Sequence, residues 1–456
     1  MAPRGTHRMK WGTHSGEYGE CVFPCRLQYA GKATLHCSVN ELRNTCFSAD
    51  KTADGVQRRR ERFPAFVPTA GWQTTRSGHR VVGGRLRGMT ATAEGSVVPL
   101  NYGARINLRN YPNQDWIVFL GTATSEGVPR VSCLTEQPVP QCHVCVDASE
   151  RLHSPNRRRN TSLAIHRRRR TQAGRELLAG RTHETVVIDV GKFFYQSAID
   201  VFPATGLRQI DAVVLTHEHA DATNGLDDLR DWTLNIGRRH GDGPLSIPVW
   251  GDAATLERVH GAFPYLVEPS RATGSGLVPK LSFHQIEAYQ RFYPTHPRSV
   301  NAANSLQSDR LTPAPAPAPA PDCISLLPVP VEHGRDQGCL GFRFGEVVYL
   351  SDVSYIPPKA MDAIRGCRIL IVDALHPGTG SHVSHFCEQQ ALALVTQLRP
   401  IYTFFTGMTH MWDHERDNAR LAAWSAAESR RMDGRPVHVA LAYDGLCVPV
   451  DLEADR

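Results

Sequence analysis

Apolar residues along this chain fall into short runs separated by glycine-rich turns and longer amphipathic stretches. Trp116-Ile117-Val118-Phe119-Leu120 is continuously apolar and stops at Gly121, the pattern of a strand buried on both faces and followed by a turn. Similar runs occupy Thr185–Val190, Ala212–Leu215, Val347–Leu350, Ile369–Val372 and Tyr402–Phe405. Helical patterns lie between or after them, at Gly225–Trp232, Cys387–Leu398 and Asp417–Met432. Strands that alternate with helices predict α/β layers packed around sheets. Residues 313–321 alternate Pro and Ala, which cannot supply a strand ladder and predict an extended surface loop inserted into the fold. No internal repeat is visible, so residues 116–452 read as one large domain.

Residues 1–110 look different. Apolar periodicity is weak, Gly, Arg, Ser and Thr are common, and Arg58, Arg59 and Arg60 form a run. This is the pattern of a basic, flexible and poorly ordered extension, and its Cys21, Cys25, Cys37 and Cys46 have no recognised zinc spacing. The formal charge of the chain is +6, but residues 1–110 carry a net +10 and residues 151–181 a net +9, which leaves −13 for the rest. The basic character is therefore local and the body of the chain is acidic. Arg157–Arg159 and Arg167–Arg170 offer a nucleic-acid contact only as a secondary expectation, because such runs are usually solvated loops. No stretch of 18 apolar residues exists, which excludes a helical membrane span. Twelve Cys are too few for a disulfide scaffold at 456 residues, and no secretory signal opens the chain. A cytoplasmic, reducing setting is expected, with organellar targeting by the extension as the alternative, and clustered Cys read first as metal ligands. The 21 His point the same way.

The strongest chemical signal is Thr216-His217-Glu218-His219-Ala220-Asp221-Ala222, directly after the run Ala212–Leu215. A strand end followed by H-x-H-x-D puts two imidazoles and a carboxylate into one tight turn. Neutral imidazole suits zinc, and the carboxylate can hold a second ion or orient a water.

In this motif the chain resembles the metallo-β-lactamase superfamily. Further segments match in order: Ile188-Asp189-Val190-Gly191 resembles the strand whose Asp supports the metal loop, Pro330-Val331-Glu332-His333-Gly334 the segment that donates a third His, and Tyr349-Leu350-Ser351-Asp352 the strand whose Asp bridges two ions. Phe119-Leu120-Gly121-Thr122, Cys133, Cys142-His143-Val144-Cys145 and Thr406-Gly407-Met408-Thr409-His410 are similar to the PhnP-type cyclic-phosphate phosphodiesterases and their eukaryotic relatives. The resemblance covers about residues 116–452 and implies a four-layer αββα sandwich. It also implies a structural zinc held by Cys133, Cys142, Cys145 and His410. The catalytic metal set it implies is His217, His219, Asp221, His333 and Asp352, holding one or two zinc ions, or manganese. His385 is similar to the group's substrate-side His and is expected to protonate the leaving oxygen.

Two departures stand out. Ala222 replaces a second His after Asp221, and Gly407 replaces the first His of T-H-x-x-H. Three compensations are open: His414 replaces a lost ligand by lying four residues from His410 on one helical or turn face, His385 enters the shell, or the site works with one ion. The leading expectation is a metal-dependent phosphodiesterase that acts on a small cyclic or phosphorylated metabolite through a metal-bound hydroxide, with Asp221 orienting the water. The alternatives are an RNA 3′-processing nuclease and a non-catalytic scaffold stabilised by metal. The fold also suggests a homodimer by analogy.

Overall fold

The computed structural model describes residues 106–177, 181–236, 246–271, 277–295, 322–335, 337–432 and 434–453. The basic extension through residue 105, its four Cys and the Pro/Ala segment 313–321 lie outside the described residues.

Among the described residues, thirteen strands form two sheets. In the first, β1 (Asp115–Gly121), β2 (Ser162–Arg168), β3 (His183–Ile188), β4 (Ala212–Val214), β5 (Ile247–Gly251) and β6 (Leu281–Gln285) lie side by side in chain order. The second contains β7 (Leu327–Glu332), β8 (Gly338–Phe344), β9 (Val347–Leu350), β10 (Ile369–Asp373), β11 (Tyr402–Thr406) and β12 (His438–Leu441), again in chain order. The last strand, β13 (Cys447–Val450), returns to the first sheet and pairs antiparallel with β1. Each sheet starts antiparallel and becomes parallel: β3 to β6 run together, and so do β9 to β12.

The apolar runs are explained by burial on both faces. Along β1, Ile117 and Phe119 pack between the sheets against Phe342, Tyr349 and Phe404. Trp116, Val118 and Leu120 point the other way, into a layer with Ala198, Val201 and Phe202 of the helix Phe194–Thr205. On the outer face of the second sheet, Leu350, Leu370, Val372 and Phe405 meet Leu394 and Val395 of Glu388–Leu398 and Leu421 of His414–Arg431. Helix, sheet, sheet and helix thus form the expected αββα sandwich. Strands in such a sandwich lose the polar alternation of a one-sided sheet, and each fully buried Leu or Phe contributes roughly 1.5–3 kcal/mol.

Local outcomes differ from the sequence expectation in places. The stretch Gly225–Trp232 forms a short 3-10 turn (Leu226–Leu229) followed by a π-helical turn (Asp231–Ile236) instead of an α-helix. Seven strands, β2, β5 to β8, β12 and β13, lie outside the apolar runs. β7 carries Pro328 and Pro330 and survives because it is an edge strand with one neighbour. The Arg runs are also only partly solvated, with Arg170 exposed. Arg158, Arg167 and Arg169 are 0–1% exposed. Arg169 pairs with Glu184 at 2.7 Å, Arg167 donates to the Cys323 carbonyl at 2.7 Å and pairs with Glu453, and Arg158 donates to the Trp412 carbonyl at 3.2 Å. These guanidiniums cross-link distant segments and are not presented to a phosphate backbone. No helix among the described residues is long and apolar enough to cross a membrane.

Candidate metal centres

The parallel strands deliver their carboxyl ends to one rim, where parallel α/β sheets characteristically place ligands. β4 ends at Val214, and the loop after it turns through Thr216, His217 and His219. His333 follows β7 directly, Asp352 lies two residues past β9, and Asp373 is the last residue of β10. His217, His219 and His333 bring one ligand nitrogen each within 4.8 Å of one another. Asp352 makes a second such group with His333 and His385, and a third with His217 and Cys339. The imidazoles are held nearly edge to face, with ring centroids 4.6 Å apart for His217 and His219, 5.2 Å for His217 and His333, and 4.7 Å for His333 and His385.

The His217 and His333 rings are each oriented by a partner at Nδ1. Asp189 adopts a left-handed backbone (φ 62°) at the end of β3 and accepts from the Thr216 amide and hydroxyl, both at 2.8 Å. The Thr216 hydroxyl in turn lies 2.9 Å from His217 Nδ1. This leaves His217 Nε2 buried with no hydrogen-bond partner among the described residues, facing the cluster. His333 Nδ1 sits 2.7 Å from the Ser384 carbonyl, which turns its Nε2 inward. Such outer partners fix tautomer and ring orientation at metal sites. Burial pushes His217 down to about 4, so it is a neutral donor at physiological pH. Burial opposes ionisation of Asp352, but the surrounding His217, His385 and His333 outweigh it and hold the carboxyl below its ordinary range. The donor set is three imidazoles with a carboxylate beside them, and only His219 is exposed to solvent. It fits a divalent cation with an open position.

His385 Nδ1 is 2.7 Å from Asp373 Oδ2 and 3.7 Å from Asp352 Oδ1. Burial works against its charged form, yet Asp373, Asp352 and Asp221 raise it to about 9. Asp373 itself is driven up to about 7 by burial, against the pull of His385. Sequence reasoning did not single out Asp373. The signal was an acid that ends the apolar run Ile369–Val372, which has no reason to be buried unless something pairs with it. Cys339, wholly buried on β8 at 3.9 Å from His217 Nδ1, was missed for the same reason: an isolated Cys in a strand reads as core.

Asp221 is near but outside these groups. It opens the short helix Ala220–Thr223, and burial followed by the charge of Asp352 raises its carboxyl. His414 is not brought to the cluster. The helix starts at His414, capped by Asp413, while His410 lies in the preceding turn, so the two do not share a helical face. His414 is instead buried against Tyr443, with ring centroids 5.6 Å apart, and its amide donates to Asn156 Oδ1 at 2.9 Å. Burial, with Arg158 nearby, pushes it down to about 3.

Gly407 has φ +68°, and a Cβ there would come within 2.4 Å of Asp373 Oδ1. The position left without a His is thus packed against the carboxylate that orients His385.

The second cluster is separate. Cys133, Cys142, Cys145 and His410 bring their ligand atoms within 4.8 Å of one another. His410 Nδ1 is 3.4 Å from Cys133 Sγ and 3.3 Å from Cys142 Sγ, and the Arg130 amide donates to Cys145 Sγ at 3.4 Å. Cys145 is fully buried, beside Val144, Ala148, Ala123 and Val128. His143 faces away and pairs with Asp413 at 2.8 Å.

Residues 184–408 match the family described as a beta-lactamase superfamily domain. An octanoyltransferase of Porphyromonas gingivalis is 26% identical over 339 residues, covering 74% of this chain and 52% of that protein. The chain thus spans about half the length of that relative. Among solved structures, a diphosphatase from the PhnP family is 26% identical, covers 74% of this chain and 99% of that one, and has a TM-score of 0.49. The short form of human tRNase Z is 13% identical, covers 74% and 99% of the two chains, and has a TM-score of 0.40.

Proposed function

We propose that this chain, a metal-dependent hydrolase that belongs to the metallo-β-lactamase superfamily, cleaves phosphodiester bonds in a small cyclic or phosphorylated metabolite. The observation that carries the reading is the convergence of His217, His219 and His333 on one point, faced by the His385–Asp373 pair. Three histidines and a carboxylate suit zinc, with manganese as the alternative ion. When bound, such an ion supplies Lewis acidity, lowering the pKa of a coordinated water and polarising a phosphoryl oxygen.

The protein side chains do the rest. Asp189, through Thr216, fixes the tautomer of His217. Asp221 orients the attacking water from the edge of the cluster. His385 holds its proton at Nε2 because Asp373 engages Nδ1, and it donates that proton to the leaving oxygen. The motif set around Cys133, Cys142, Cys145 and His410 supports the PhnP-type reading and a structural zinc. With Zn–S of about 2.3 Å and Zn–N of about 2.0–2.1 Å at tetrahedral angles, ligand S and N atoms are about 3.6 Å apart. The Sγ to Nδ1 separations of 3.3 and 3.4 Å lie close to that.

RNA 3′-end processing is the weaker reading, because Arg158, Arg167 and Arg169 are spent on buried pairs and carbonyls. We infer a cytoplasmic setting from a cysteine count too low for a disulfide scaffold and a homodimer from fold analogy. The test is hydrolysis of bis-p-nitrophenyl phosphate by the full chain, beside an octanoyl thioester. Phosphodiester turnover that falls at least about 1,000-fold in His217→Ala supports the reading. Thioester turnover without phosphodiester turnover would replace it.

A further inference from the structure

The amino ends of β3 and β4 bound a cavity of about 520 Å³. It opens on the opposite rim from the histidine cluster. The six residues of β3 separate His183, which lines the cavity, from Asp189, which supports the metal loop. At about 3.3 Å per residue that is roughly 20 Å.

The lining is donor-rich. Arg109, Arg181 and Arg208 contribute guanidiniums and Thr182 a hydroxyl, and no Asp or Glu lines it among the described residues. Arg181 Nη2 is anchored by Asp211 at 2.5 Å, while its Nε is buried with no hydrogen-bond partner among the described residues. Such an unpaired buried donor costs about 1–3 kcal/mol unless something accepts from it. The floor is a parallel stack of His166 and His183, with centroids 4.7 Å apart and planes within 2°. Thr185 holds His166 Nδ1 and Thr182 holds His183 Nδ1, both at 2.9 Å, which locks the pair. Burial keeps both rings neutral, so the positive charge of the lining belongs to the guanidiniums.

We propose that this cavity is a second anion site that binds a phosphate-bearing small molecule, remote from the metal cluster. Guanidinium forks match phosphate oxygens bidentately, and an arginine-lined wall favours a dianion over a monoanion. The volume suits a ligand the size of a sugar phosphate.

Calorimetric titration of ribose 5-phosphate into the full chain tests this, with citrate as the carboxylate control. Saturable binding is expected in wild type and, unchanged, in His217→Ala, where the metal cluster is disabled. Affinity is expected to fall at least tenfold in Arg181→Gln. The exposed pair Arg109→Gln/Arg208→Gln should show the same loss without disturbing the Asp211 contact. Binding that vanishes in His217→Ala yet ignores the arginine variants would overturn the proposal. So would binding of citrate without ribose 5-phosphate, or no saturable binding at all.

Discussion

In the cysteine cluster all four ligand positions sit in short helices and loops outside the two sheets, whereas His217, His219, His333 and Asp352 all follow the carboxyl end of a strand. The strand ends are fixed by the core before any ion binds: β4 and β9 are wholly buried, and the Asp189–Thr216–His217 chain lies inside. The cysteine cluster has only a small satellite core of Ala123, Val128, Val144, Cys145 and Ala148. It joins residues 277 positions apart in sequence, Cys133 and His410. The comparison teaches that the histidine cluster is framed by packed strand ends whether or not an ion is bound, while the cysteine cluster has little packing of its own to hold it together.

Breaking the cysteine cluster should have the largest effect on the fold. Cys142→Ser should lower the melting temperature by at least about 5 °C, as the loss of a structural ion that contributes several kcal/mol. Residues 123–150 should then become protease-sensitive first. A melting curve that matches wild type would put both clusters in the same class.

Gly407→Ala should act next, and mainly on the histidine side. The added Cβ meets Asp373 at 2.4 Å in a left-handed backbone, costing about 1–3 kcal/mol and displacing the partner of His385. Phosphodiester turnover should drop roughly 10- to 100-fold with the cysteine-bound ion retained. Full activity would show that Asp373 does not position His385.

His414→Gln should have the smallest effect. His414 belongs to neither cluster, so ion content and turnover should stay within about twofold of wild type. Its folded pKa is depressed to about 3 from 6.5, so its contribution to stability is present above pH 6.5 and is lost as the pH falls towards 3. Urea unfolding at pH 7 and pH 5 should show a stability difference smaller in the variant by roughly 1–2 kcal/mol. Loss of an ion in this variant would restore His414 as a ligand.

Much of this arrangement was readable from the residues. Doubly buried strands such as β1 and β10 announce themselves as apolar runs, and H-x-H-x-D after β4 marks the metal loop without help from the fold. Other features depend on tertiary context. β7 is interrupted by prolines that only an edge position permits, and β8 contains Gly341, where a Cβ would come within 2.3 Å of Leu350. The spacing of His410 and His414 suggested a shared helical face, but the Asp413 cap places the helix start between them. The arginine runs read as surface charge because their acidic partners, Glu184, Asp115 and Glu453, lie far away in sequence. Asp373 gains its meaning only from His385, on a different element.

We infer that one chain carries two independent ion sites, one structural and one catalytic. Elemental analysis of the purified full chain tests it most directly, comparing wild type, His217→Ala and Cys142→Ser. At least two ions per chain are expected in wild type, with His217→Ala keeping the cysteine-bound ion and losing the other. A single ion, lost in Cys142→Ser and indifferent to His217→Ala, would contradict the account.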